Sequence, residues 1–373
     1  MNLRPFRIAI PDADIADLHA RLDRTRWPDE INDDAWGWGT PLPWLQKLVH
    51  HWRHEYDWRA QEARLNALPQ FMATIDGQDI HFIHIRGEGE NPFPLLLIHG
   101  WPGSVVEFEK LAPLLTRGPN AFSLVIPSLP GFGFSARPTA RGMTPVAIGR
   151  LFAKLMAGLG YTRYGAQGGD WGSIITTQLA LVDPAHLAGI HLNMVVAGGP
   201  PGGDPGELTE AEQQGLADMA RYFETDSGYM QIQATKPQTL GYGLEDSPAG
   251  LAAWIVEKFR SWSDCGGDVE SVFTRDQLLT NIMCYWCTGT AHSSARLYYE
   301  NRVGDGWVAG QRVEVPTGAA IYPREIIRPP RRWAEASYNI THWREQPRGG
   351  HFAAMEQPGL YVEDVRDFFR TVR

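Results

Sequence analysis

Apolar residues in this chain recur with two different periods, and the change of period marks out its elements. In Ile15-Ala16-Asp17-Leu18-His19-Ala20-Arg21-Leu22 they fall at helical spacing, with Asp12 or Asp14 placed to cap the helix. A second helix is expected from Trp44 to about Leu65. The period then shortens to two. Phe71 to Ile75 and Ile80 to Ile85 alternate on either side of Asp76-Gly77, which reads as a hairpin. Leu95-Leu96-Leu97-Ile98 is a short buried strand, followed by a helix around Val105 to Leu115. Another strand covers Ser123 to Pro127, a helix covers Pro145 to Leu159, and a further strand ends just before Asp170. Leu187 to Val196 is the next buried strand. From about Ala197 to Asn301 the strand rhythm stops, over a stretch too long for an ordinary loop. Strands return at Thr317 to Tyr322 and Tyr338 to Trp343, and a helix from Leu360 to Val372 closes the chain.

This alternation predicts an α/β protein with a mostly parallel eight-stranded sheet flanked by helices, and with ligands at the carboxyl ends of the strands. Four segments follow: an N-terminal helical meander over 1–70, a first core part over 71–196, an inserted helical cap over 197–301, and a second core part over 302–373. The apolar share of 43% and 14 tryptophans supply a sizeable core. A net charge of −9 argues against a nucleic-acid surface. The first residues, Met1-Asn2-Leu3-Arg4-Pro5-Phe6, lack a long apolar run, so neither a secretion signal nor a membrane anchor is expected. Cys265, Cys284 and Cys287 make no disulfide framework, which fits a cytoplasmic setting. The Cys284–Cys287 pair has CxxC spacing without a second pair, and reads as helix packing. His50, His51 and His54 share a helical face but lack partners to complete a metal shell. No P-loop or dinucleotide fingerprint is present, and no metal, nucleotide or flavin is required.

The chemistry concentrates in three islands. Gly168-Gly169-Asp170-Trp171-Gly172 lies between a strand and a helix and has the form of a nucleophile elbow, with a carboxylate where serine is usual. A carboxylate is ionised near neutral pH and can attack a strained alkyl carbon, forming an ester on the protein. Tyr322-Pro323-Arg324-Glu325 and Arg348-Gly349-Gly350-His351-Phe352 follow, each near a strand end. Nucleophile, acid, histidine is the chain order of an α/β-hydrolase triad. His351, taken as neutral near pH 7, would draw a proton from water so that hydroxide attacks the ester, while Glu325 fixes its tautomer. Backbone N–H groups of Trp101 and Trp171 are the expected oxyanion donors. Pro102 fixes the first of these loops, a cis Trp101-Pro102 bond is plausible, and His99 is read as structural.

Phe6 to Pro28 with Trp52-Arg53-His54-Glu55-Tyr56-Asp57-Trp58, His99-Gly100-Trp101-Pro102-Gly103-Ser104, Gly168-Gly169-Asp170-Trp171-Gly172 and Arg348-Gly349-Gly350-His351-Phe352-Ala353-Ala354 together resemble the epoxide hydrolases of the α/β-hydrolase superfamily. The resemblance covers nearly the whole chain and is nearest to the microsomal and juvenile-hormone branch, here without the membrane-anchoring helix. It implies an ether-bond hydrolase acting on a small-molecule epoxide and water, without a cofactor. It also implies two cap tyrosines on the epoxide oxygen. One maps to Tyr229, the other to Tyr298, with Tyr299 adjacent and the register between them open. A phenol makes chemical sense there, because ring opening leaves an alkoxide that needs a donor. Trp101, Phe132, Phe134 and Trp333 are candidates to shape the substrate pocket, and the N-terminal meander offers a surface for a homodimer.

Two rivals remain at this stage. A haloalkane or haloacid dehalogenase uses the same aspartate and histidine, and indole N–H groups of Trp101 and Trp171 could receive its halide, but it does not need two phenols. A non-catalytic binder on a hydrolase fold would be expected to lack one of the reactive groups, and none is missing.

Overall fold

The computed structural model describes residues 1–31, 36–304 and 311–373. Its strands are β1 (Asn2–Phe6), β2 (Gln70–Ile75), β3 (Gln78–Ile85), β4 (Phe93–Ile98), β5 (Phe122–Pro127), β6 (Tyr164–Gly168), β7 (Leu187–Leu192), β8 (Val313–Ile321) and β9 (Tyr338–Glu345). They form one sheet in the order β1-β2-β3-β5-β4-β6-β7-β8-β9. From β5 to β9 every pair is parallel, while β1, β2 and β3 add on in antiparallel fashion. β5, β6 and β7 are buried along their whole length, as parallel strands covered on both faces must be. Side chains alternate between the two faces. Leu96 and Ile98 join the main apolar cluster, and Leu95 and Leu97 join a second one with Phe122, Tyr361 and Phe368.

The N-terminal segment carries α1 (Asp12–Asp23), α2 (Leu42–His54) and α3 (Trp58–Leu65). α4 (Ala112–Leu115), α5 (Pro145–Gly158) and α6 (Trp171–Val182) belong to the first sheet crossovers. Between β7 and β8 come α7 (Glu210–Thr225), α8 (Gly228–Thr235), α9 (Pro237–Asp246), α10 (Pro248–Trp262), α11 (Arg275–Trp286) and α12 (Ala291–Val303), with no strand among the described residues. α13 (Arg331–Ser337), α14 (Ala353–Glu356) and α15 (Pro358–Val372) complete the chain. Leu18 and Trp52 of the N-terminal segment share one apolar cluster with Leu96 of the sheet and Phe259 and Trp262 of the inserted helices.

Four differences from the sequence reading have physical causes. The sheet has a ninth strand, β1, on its edge, where the missing N–H of Pro5 is tolerated and no alternation is required. The long second helix is two helices, because Asp57 accepts from the Ala60 N–H at 3.1 Å and starts α3 afresh. Around Val105 a 3₁₀ turn (Val105–Phe108) capped by Ser104 gives way to the one-turn α4, which has Pro113 in its first turn. Neither Asp12 nor Asp14 caps α1, which starts after Pro11 without a side-chain cap.

Candidate active site

The carboxyl ends of four parallel strands meet at one point. β6 ends at Gly168 and α6 begins at Trp171, so Asp170 occupies a turn two residues wide, at φ 52° and ψ −130°. A β-substituted residue in this left-handed region is strained, and it persists only where its surroundings fix it. The surroundings here are tight. A Cβ on Gly172 would come within 1.9 Å of the Ile98 carbonyl oxygen, and one on Gly100 within 2.1 Å of Asp170 Oδ1. Glycine at both positions lets α6 press against β4 and lets the loop after β4 reach the carboxylate. The Trp101 backbone N–H donates to Asp170 Oδ1 at 2.7 Å. Trp171 opens α6, so its N–H belongs to the set that a helix leaves unpaired at its N-terminus. The Trp101-Pro102 bond is cis. His99 is buried, with Nδ1 on the Gly100 carbonyl at 2.9 Å and Nε2 accepting from the Leu129 N–H at 3.2 Å. Burial lowers its pKa to about 4, so it stays a neutral bracket for the loop.

Glu325 and His351 lie on the loops after β8 and β9, held side by side by a parallel bridge between Arg324 and Gly350. His351 Nδ1 meets Glu325 Oε1 at 2.7 Å, and its Nε2 lies 3.4 Å from Asp170 Oδ2. The Ile326 N–H also donates to Glu325 Oε1 at 2.7 Å. The neutral imidazole expected near pH 7 has surroundings that work against it: burial disfavours the imidazolium, but Glu325 and Asp170, by charge and hydrogen bond, raise the His351 pKa well above the ordinary value. Two carboxylates on one imidazole hold its second proton.

The inserted helices close over this triad with aromatic rings. Tyr229, on α8, stacks flat on Trp101 with centroids 5.0 Å apart. Tyr298, on α12, stands edge-on to Trp171 at 4.7 Å and to Tyr229 at 5.9 Å. Both phenols are buried, and burial first, then the Asp170 charge and neighbouring tyrosines, raise their pKa well above 10, so both remain donors. Tyr298 Oη has no hydrogen-bond partner among the described residues, whereas Tyr229 Oη bonds Tyr222 Oη at 2.9 Å. Tyr299 lies elsewhere, under the Arg141 guanidinium. Phe132 packs on His99 and Tyr285, and Phe134 on Phe6 and His81. Among the described residues Trp333 shares none of the ring contacts that join Trp101 to the tyrosines. Trp101 is the proposed pocket residue whose contacts join Asp170 to the two tyrosines.

Sequence reading missed three neighbours. Trp262 stands edge-on to His351 at 5.0 Å, and its carbonyl accepts the His351 N–H at 2.9 Å. Lys258 is almost wholly buried, pairs with Asp226 at 2.7 Å and sits 4.8 Å over the Tyr229 ring. The available signal was a lone lysine in line with Ile255 and Trp262 on an apolar helical stripe. Glu107 lines a cavity of about 10 Å³ together with Asp170, Asn193 and His351, a volume that suits one water molecule. Burial pushes its carboxyl up to about 8, with His351 pulling it down and Asp170 up. Nothing in the sequence of that loop distinguishes Glu107 from a surface glutamate.

Known proteins are similar to this chain in sequence and fold. Residues 3–108 match the family described as Epoxide hydrolase N terminus, and residues 94–229 match the family described as alpha/beta hydrolase fold. A chain of Stigmatella aurantiaca (strain DW4/3-1), whose name also assigns it to the epoxide hydrolases, is 48% identical over 100% of this chain and 86% of its own. Epoxide hydrolase 1 of Oryctolagus cuniculus is 40% identical over 98% of this chain and 88% of its own. The crystal structure of juvenile hormone epoxide hydrolase from the silkworm Bombyx mori superposes with a TM-score of 0.94 at 32% identity, over 100% of this chain and 95% of that one.

Proposed function

This chain belongs to the epoxide hydrolases of the α/β-hydrolase fold, on the branch of the microsomal and juvenile-hormone enzymes, and from that premise we propose which of its residues carry the reaction. Asp170 attacks an oxirane carbon of a small-molecule epoxide and becomes an alkyl ester. Tyr229 and Tyr298 donate to the oxygen as the ring opens. Esterification removes one of the two anions that hold the His351 proton, so the imidazolium becomes acidic and its proton balances the new alkoxide. The imidazole, now neutral and still oriented by Glu325, takes a proton from water. Hydroxide adds to the ester carbonyl, whose oxyanion meets the Trp101 and Trp171 N–H groups. Collapse releases a vicinal diol and restores the Asp170 carboxylate and the His351 imidazolium. Every proton is accounted for, and one water is consumed.

The observation that carries this reading is an imidazole held between two carboxylates beneath two buried phenols. Halide displacement would use the aspartate and histidine but has no need of the phenols. Asp170→Asn is expected to abolish diol formation, apart from any activity regained by deamidation. Epoxide consumption and halide release, assayed side by side on the wild type, test the assignment: release of halide without diol would overturn it.

Three coarser features belong to the same proposal. Residues 197–301 act as the cap over a core made of 71–196 and 302–373, with α12 running on to Val303, and 1–70 wraps that core. The three free cysteines favour a reducing, cytoplasmic setting. Exposed Leu3, Trp27 and Ile31 favour the N-terminal segment as a homodimer surface, which sedimentation at micromolar protein tests.

A further inference from the structure

A sizeable cavity lies apart from the triad. It measures about 540 Å³, within the range of about 300–1,000 Å³ typical of small-ligand sites. Its walls are the loop after β5, the junction of α8 and α9, and one face of α12. That face is the back of the helix. Arg296 and Glu300 line the cavity from two positions before and two after Tyr298, and two residues turn an α-helix through about 200°. Tyr298 therefore points to Trp171 and Trp101 while Arg296 and Glu300 point away, with the helix itself as the partition. Lys236, just after α8, marks the other wall, at the opposite end of that helix from Tyr229.

The lining has an unbalanced charge. Arg141, Lys236 and Arg296 supply three cations, and among the described residues none of them has a carboxylate within salt-bridge distance. Arg141 instead covers the Tyr299 ring at 5.7 Å. The one carboxylate on the wall, Glu300, accepts the Gly142 N–H at 2.8 Å. His292 adds a ring whose pKa is lowered, by burial first and then by Arg296, and which contributes no charge near neutrality. Arg296 is half-buried, and burial followed by the Arg137 charge lowers its pKa against the pull of Glu300. In a chain of net charge −9, three cations on one wall are a local exception; Arg141 and Lys236 are exposed, and only the half-buried Arg296 bears the cost of a partly desolvated cation that no carboxylate pairs. Between them the surface is apolar, from Pro138, Met143, Pro237 and Leu297.

We propose that this cavity is a second ligand site, separate from the triad, for an organic anion with an apolar body such as a medium-chain carboxylate. The carboxylate sits between Arg296 and Arg141, whose planar guanidinium groups suit two-point recognition, and the hydrocarbon lies on the proline and leucine surface. A ligand there touches the back of the helix that carries Tyr298 and the far end of the one that carries Tyr229.

Calorimetric titration with decanoate, decanol and acetate tests the site without reference to turnover. Decanoate is expected to bind wild type one to one, and decanol and acetate at least tenfold more weakly. Arg296→Gln and, on the more exposed side, Arg141→Gln should each weaken decanoate at least tenfold with the melting temperature kept within a few degrees. Lys236→Gln serves as a third probe if Arg296→Gln proves unstable. The site is refuted if wild type shows no binding at millimolar decanoate, if decanol binds as well as decanoate, or if the folded variants bind as tightly as wild type. Initial rates give the location: decanoate that raises KM for an epoxide with kcat unchanged is in the active site, and the proposal fails.

Discussion

At the scale of single residues, the reaction depends on charge placed where water is scarce. The Asp170 elbow was legible from sequence because small residues flanked one acidic side chain between a strand and a helix. The protonation of His351 was not, because it depends on two carboxylates brought from positions 170 and 325. That pKa has a consequence for stability. A group whose pKa is raised on folding stabilises the fold fully below its unfolded value of about 6.5, and loses that contribution as pH rises through the folded value. Wild type should therefore lose stability relative to His351→Gln as pH climbs above about 6.5. Glu107 titrates in the same sense: from about pH 4.5 to about 8 the folded protein holds a proton that the unfolded chain has released. Urea melts across that range should show Glu107→Gln gaining on wild type and levelling off above pH 8. A difference that is flat with pH would mean that Glu107 is ionised in the fold.

At the scale of elements, helices of the inserted segment set the geometry of a loop that belongs to the sheet. On α11, Asn281 donates to the Pro102 carbonyl at 2.7 Å and accepts from Ser104 at 2.8 Å, and Tyr285 donates to the Gly103 carbonyl at 2.5 Å. These three bonds hold the strand-to-turn loop that delivers the Trp101 N–H. Asn281→Ala leaves the buried Pro102 carbonyl without its donor and the Ser104 O–H without its acceptor, and should destabilise the protein by roughly 2–4 kcal/mol in denaturant melts. The sequence marked α11 as packed, but gave no hint that it gripped this loop, since the partners lie about 180 positions apart. For the tyrosines the helical register decides. Tyr229→Phe and Tyr298→Phe should each slow formation of the ester in single-turnover kinetics, and the double change should slow it further. Tyr299→Phe should leave that step unchanged. The reverse pattern would mean that the wrong face of α12 had been assigned to the chemistry.

At the scale of the whole molecule, the succession of strands and helices and the mostly parallel sheet could be read from alternating periods, and the inserted helices from the place where alternation stopped. The edge strand β1 could not, because an edge position imposes no apolar pattern on Asn2–Phe6. How the segments interlock was equally hidden. Trp52 of the N-terminal helices, Ile98 of the sheet and Trp262 of α10 belong to one apolar cluster, so the N-terminal and inserted helices share their core with the sheet. Cap and core should unfold together, with tryptophan fluorescence and far-ultraviolet circular dichroism giving coincident transitions. Two separated transitions would show that the cap folds by itself.

The covalent step admits the most direct test. His351→Gln, mixed with an epoxide substrate, should form the ester more slowly, with a cap tyrosine in place of the imidazolium giving the alkoxide its proton, and then stall, gaining the mass of one epoxide per chain, and a peptide map should locate that mass on Asp170. An adduct on any other residue, or normal turnover by this variant, would contradict the mechanism.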